Sequence, residues 1–99
     1  MAANIAYFYF MKQESNRIPV IAPLHHQYWT RQSLREYVGG PFGDMSGGLI
    51  TFEAEGVEHA RRVIEHDQFI VEGLLDRYWI KEWAAEPGKP DSFGTSALG

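Results

Sequence analysis

Cysteine is absent from the 99 residues. That excludes disulfides, thiolate nucleophiles and cysteine-held zinc. It is compatible with a reducing cytoplasm, the compartment expected here. Basic residues are few: nine Lys and Arg stand against thirteen Asp and Glu, for a net charge of −4. A sequence-independent nucleic-acid binder needs a basic face, and so does a protein that docks on anionic lipid. Neither nucleic acid nor membrane is an expected partner. No apolar run approaches the roughly 20 residues of a membrane span. The segment MAANIAYFYFMK has no basic residue ahead of its apolar stretch and no clear small-residue cleavage site. It reads as a strand rather than a signal peptide. HExxH, GK[ST], GxSxG and GxGxxG are missing as well. No metal and no organic cofactor are therefore expected.

What is present fits one small domain. Hydrophobic residues make up 44% and charged residues 22%, close to ordinary globular usage. Aromatics reach 14%, and large rings build a core from few residues. The domain is expected over residues 1–85. Residues 86–99, EPGKPDSFGTSALG, read as a flexible tail rich in Pro and Gly.

The pattern predicts a strand over 4–11 that is apolar on both faces. A polar loop follows at 12–19, then a helix over 21–38 with Pro23 in its first turn. On the wheel Leu24, Tyr28 and Val38 share that helix's stripe, interrupted by Arg31 and Arg35. GGPFGDMSGG at 39–48 carries five Gly and marks turns and close backbone approach. Residues 49–54 alternate, with Ile50, Phe52 and Ala54 on one side. A short strand around 37–42 pairs with them. Residues 57–67 form the better helix, with Val57, Ala60, Val63 and Ile64 as its stripe. Residues 68–75 are a mixed connection, and 76–83 read as a last strand. The order β-α-β-β-α-β is that of a ferredoxin-like α+β fold: a four-stranded antiparallel sheet with both helices on one face. A first strand that is apolar on both faces then needs a cover on the other side. A second copy of the same sheet supplies one, closing a dimeric α/β barrel.

Four histidines are present. His59 and His66 lie opposite the stripe of the second helix and read as surface imidazoles, too far apart for one metal. His25 falls between Tyr28 and Trp29 on the wheel, where partial burial tunes an imidazole for acid–base work. His26 points further from the core. The plainer alternative is that both only pack. Asp44 sits in the Gly-rich turn, an ordinary place for Asp. Asp67 faces inward at the end of the second helix, towards the negative end of its dipole, so it needs a donor. His25 is one if the helices are neighbours. Ser46 has no histidine beside it in sequence, but with the turn's backbone N–H groups it is placed to meet developing negative charge.

PLHHQYW at 23–29, GGPFGDMSGGLITFEA at 39–54, EHARRVIEHDQF at 58–69 and GLLDRYWIKEW at 73–83 together resemble the YCII (YciI-like) family of the dimeric α/β-barrel superfamily. The resemblance spans roughly residues 3–84. It matches His25 to the family histidine and Asp67-Gln68-Phe69 to an Asp-Pro-Phe element, with Gln68 in place of Pro. It implies a homodimer with a His–Asp pair in a cleft; Asp67 and Asp44 both stand at motif positions, and which of them pairs with His25 is left open. Some family members resemble dehydrochlorinases of chlorinated hydroxyquinols. The expected function is cofactor-free acid–base catalysis on a small cyclic or aromatic substrate, of dehydrochlorinase or isomerase type. The catalytic candidates are His25 with Asp67 or Asp44, backed by Ser46 and His26. Tyr7, Tyr9, Trp29 and Phe42, with Trp79, are candidates for substrate-binding walls. The alternative is a non-catalytic dimer that binds a small ligand or another protein.

Overall fold

The computed structural model describes residues 2–13 and 15–86. All of the expected tail except Glu86 lies outside the described residues. The described residues form four strands and three helices: β1 (Ala3–Met11), α1 (Ile18–Arg31), β2 (Arg35–Pro41), β3 (Gly47–Ala54), α2 (Val57–Ile64), α3 (Gln68–Val71) and β4 (Leu75–Glu82). The strands form one antiparallel sheet in the order β2-β3-β1-β4. This is the ferredoxin-like α+β fold.

Alternation along β1 and β3 decides the core. Ile5, Tyr7 and Tyr9 point to one face, joined by Ile50, Phe52 and Ala54 of the paired strand. Ile21 and Trp29 of α1, Ala60 and Ile64 of α2, Phe69 of α3 and Leu74 close over them. Each large apolar side chain so buried stabilises the fold by about 1.5–3 kcal/mol.

The opposite face is open and mixed: an aromatic cluster shares it with Asn4, Thr51, Glu53, Arg77 and Lys81. Phe8 stacks on Trp79 with ring centroids 5.3 Å apart, and Phe10 packs on Phe42 at 5.6 Å. The Arg77 guanidinium lies over both Phe10 and Trp79. Val38 is 68% exposed, Leu49 40% and Trp79 38%.

Three boundaries differ from the sequence reading. The first helix starts at Ile18 and ends at Arg31, where 21–38 is expected. Ser33 adopts φ +52, a left-handed conformation that ends the helix, and the next residues leave to pair with β3 as β2. The earlier start places Pro23 one turn deeper, so the carbonyl four residues before it lacks a helical donor. The buried stripe of α1 runs through Ile21 and Trp29, while Leu24 is 46% exposed. Second, α2 stops at Ile64 instead of running to residue 67. Third, the connection after it contains the one-turn helix α3. Half of the Gly-rich segment is strand: Gly39 and Gly40 belong to β2, and Gly47 and Gly48 to β3. At Gly47 an added methyl would overlap the backbone carbonyl of Tyr9, so the strands approach here as only glycine permits.

Candidate active site

Asp67 is the one charged side chain fully buried among the described residues. After α2 the chain turns, and Asp67 takes an extended conformation with φ −59 and ψ 132. That is the backbone a residue before proline adopts, which suits Gln68 at a first helical position where Pro also fits. Asp67 is thus the N-cap of α3 and not the last residue of α2. It faces free N–H groups rather than the carbonyls of a helix end, which reverses the dipole expectation. Its Oδ1 accepts the Phe69 N–H at 2.9 Å. Two more donors reach it from other elements. The Tyr7 hydroxyl of β1 donates to Oδ2 at 3.0 Å. His25 Nδ1 of α1 lies 2.7 Å from Oδ1.

These contacts set the histidine tautomer. Phe69 N–H and Tyr7 O–H use both carboxylate oxygens as acceptors, so Nδ1 is the donor towards Asp67. In the neutral ring Nε2 then carries the lone pair. The ring plane is fixed by Phe69, which stacks on it at 4.1 Å and 18°. Arg17, bonded to Glu72 at 2.5 Å, links the residues at the start of α1 and the end of α3.

On its other side His25 Nε2 lies 3.4 Å from the Tyr9 hydroxyl. Burial pushes the Tyr9 phenol well above the ordinary tyrosine range, and the negative charge of Asp67 pushes it further. Tyr7 is raised by the same two causes and by its bond to Asp67. Both are neutral phenols and therefore donors.

His25, His26 and Tyr9 open onto a cavity of about 250 Å³ between α1 and the β1–β3–β2 side of the sheet. Its remaining walls are mainly apolar, among them Ile18, Ile50 and Met45. No lysine or arginine lines it among the described residues. Met45 is 71% exposed and is held at φ +63 by the turn between β2 and β3.

The other sequence candidates fall elsewhere. The Asp44 carboxylate accepts from the Ser46 hydroxyl at 2.6 Å and from its N–H at 3.0 Å, and these bonds lower its pKa. Between the two aspartates, it is Asp67 that reaches His25. Gly39 and Gly40 lie in the edge strand β2 and Gly47 and Gly48 in β3, so this segment serves the sheet ladder first. Tyr7 and Trp29 are sealed in the core, 0% and 1% exposed, and do not line the cavity. Phe42 and Trp79 lie on the open face of the sheet. Ile18 and Met45 are walls that sequence reasoning missed. Met45 carries no signal in its spacing, because the turn alone aims it.

No protein-family model matches the chain, and no curated protein matches it in sequence. Solved structures match its fold. One is a 5-chloro-2-hydroxyhydroquinone dehydrochlorinase from Burkholderia phenoliruptrix, solved in complex with 2,5-dihydroxybenzoquinone. It is 20% identical, with a TM-score of 0.72 over 84% of this chain and 95% of its own. A dimeric ferredoxin-like protein from Thermobifida fusca, of unknown function, is 11% identical, with a TM-score of 0.59 over 86% of this chain and 92% of that one. An antibiotic biosynthesis monooxygenase is 17% identical, also at 0.59, over 88% of this chain and all of its own. At these identities what is shared is the fold. It is the ferredoxin-like α+β fold, here with a buried carboxylate behind a histidine that lines a largely apolar cavity.

Proposed function

We propose that this chain is a cofactor-independent enzyme of the YCII type, acting on a small cyclic or aromatic molecule. His25 is its general acid–base, and Asp67 is the residue that orients it. One observation carries the reading: a histidine whose Nδ1 is fixed by a buried carboxylate presents Nε2 to a largely apolar cavity. The carboxylate holds the tautomer and stabilises the imidazolium that forms, which is the role an aspartate plays behind a catalytic histidine. The likeness to a dehydrochlorinase that holds a dihydroxyquinone supports a ring substrate and a proton transfer coupled to loss of halide. The protein works as a homodimer, closed over the open face of the sheet, with residues 1–85 as its domain. The exposed apolar side chains Val38, Leu49 and Trp79 support this, as does the dimeric neighbour.

The test is incubation with 5-chloro-2-hydroxyhydroquinone, following chloride release and exchange of ring protons in deuterated water. His25→Ala is expected to lose about 10²–10⁴ in rate while staying folded. Asp67→Asn is expected to lose much of the same factor, and the double variant little more, because the two act as a unit. If the wild type binds the ring but neither exchanges nor eliminates, the chain is a ligand-binding dimer instead.

A further inference from the structure

The Tyr9 hydroxyl is poorly served for a buried group. Tyr9 is 4% exposed, and the one partner recorded for its hydroxyl is His25 Nε2 at 3.4 Å. A hydroxyl donor ordinarily sits at about 2.5–3.0 Å from its acceptor. Nε2 is in the same position, since that hydroxyl is its one partner among the described residues. Both side chains line one cavity, and with Nδ1 turned to Asp67, Nε2 lies on the ring's other side. The phenol tip is also built in. An added methyl on Gly48 of β3 would collide with the Tyr9 hydroxyl, so the strand leaves a slot there for it.

We propose that Tyr9 is a second catalytic residue, the donor that holds the oxyanion formed when His25 takes a proton from a ring hydroxyl or enol. The proposal rests on the acid–base reading of His25. A substrate oxygen between the two groups satisfies both: its O–H bond breaks, the proton goes to Nε2, and the electron pair stays on the oxygen. The Tyr9 O–H remains intact and donates to that oxygen. A donor aimed at developing charge in a site shielded from water contributes more to the transition state than to the ground state. Because burial and Asp67 keep the phenol protonated, Tyr9 remains a donor throughout. No lysine or arginine among the described residues lines the cavity, so the ligand class is an uncharged ring whose hydroxyl becomes anionic only when bound.

The probe is 4-nitrophenol, whose absorbance distinguishes phenol from phenolate. It is titrated into the wild type, Tyr9→Phe and His25→Gln, above and below the probe's own pKa. Urea midpoints confirm that the variants are folded. Wild type is expected to bind the phenolate in preference and to ionise the probe at lower pH than water does. Tyr9→Phe is expected to lose about tenfold to a hundredfold in affinity for the phenolate, with much less change for the neutral phenol. Equal loss for both forms, or none, overturns the role of Tyr9. If Tyr9→Phe behaves as wild type while His25→Gln abolishes ionisation in the cavity, Tyr9 is dismissed and His25 stands. If neither variant differs from wild type, or wild type does not bind the phenol, the acid–base reading falls too.

Discussion

Replacing Asp67 by Asn keeps its size and removes its charge. The Phe69 N–H keeps an acceptor, since Asn caps a helix about as well as Asp. The new amide nitrogen takes the place of the oxygen that faces Tyr7, and the phenol turns from donor to acceptor, which a hydroxyl allows. His25 Nδ1 shares the remaining oxygen with Phe69. The Tyr7 O–H hydrogen alone loses its acceptor. What is lost is that one bond and the charge assistance of the others, each about 1–3 kcal/mol. Asp67→Leu removes every acceptor. The Tyr7 hydroxyl, the Phe69 N–H and His25 Nδ1 are then stranded, each at a cost of about 1–3 kcal/mol. Three such groups approach the whole stability of a small domain, which is typically about 5–15 kcal/mol. Urea unfolding followed by circular dichroism measures both variants. The Asn variant is expected to fold with a lower midpoint and an unchanged slope, and the Leu variant to be unfolded or nearly so. A Leu variant as stable as the Asn one would refute the reasoning, because it would mean that the three donors do not depend on the carboxylate.

Tyr7 and Tyr9 are held above the ordinary tyrosine value, by burial first and Asp67 second. The unfolded chain ionises its tyrosines near pH 10. Stability is therefore expected to be whole below about pH 10 and to fall above it, by about 1.4 kcal/mol per pH unit for each of the two. Urea midpoints that stay level through that range contradict it. On the open face of the sheet, Trp79→Glu is expected to turn a dimer into a monomer in sedimentation, since an interface of at least about 1,200 Å² would have to bury the new charge. A wild type that already sediments as a monomer removes the dimer. Gly47→Ala is expected to fail to fold, whereas Gly40→Ala, with nothing near the added methyl, is expected to keep its thermal midpoint within a few degrees of wild type.

Where burial follows a period, the sequence is readable. The aromatic run of β1, the alternation of Ile50, Phe52 and Ala54, and the Ala60/Ile64 stripe of α2 each report a face without reference to anything distant. The end of α1 does not. RQSLREYV holds good helix formers, and what converts its second half to strand is pairing with β3, including the partnership of Val38 with Thr51. Local propensity yields to a ladder that sequence alone does not reveal. Asp67 shows both sides of this. Its wheel angle points inward, and it is buried. Its position at the start of α3 rather than the end of α2 was hidden, because a one-turn helix has no period. That His25 meets Asp67 and not Asp44 depends on α1 packing beside α3, while Tyr7, sixty residues from Asp67, completes the cluster. Aromatics suit pockets, which makes Trp29 a wall candidate in sequence, but the core uses it first.

The carboxylate is fastened to β1, α1 and α3 at once, and that constrains how descendants of this protein diverge. A lineage cannot exchange Asp67 for an apolar residue without stranding three buried donors and losing the fold. On the function proposed above, a lineage retires the chemistry by changing His25, which lines the cavity, and retains the buried acid. New ligands are acquired at the rim, where the apolar side chains of Met45 and Ile18 take no part in the hydrogen bonds to the acid. Homologues are therefore expected to vary most at the mouth and least at the acid, and an Asp67 that persists beside a lost histidine marks a former enzyme.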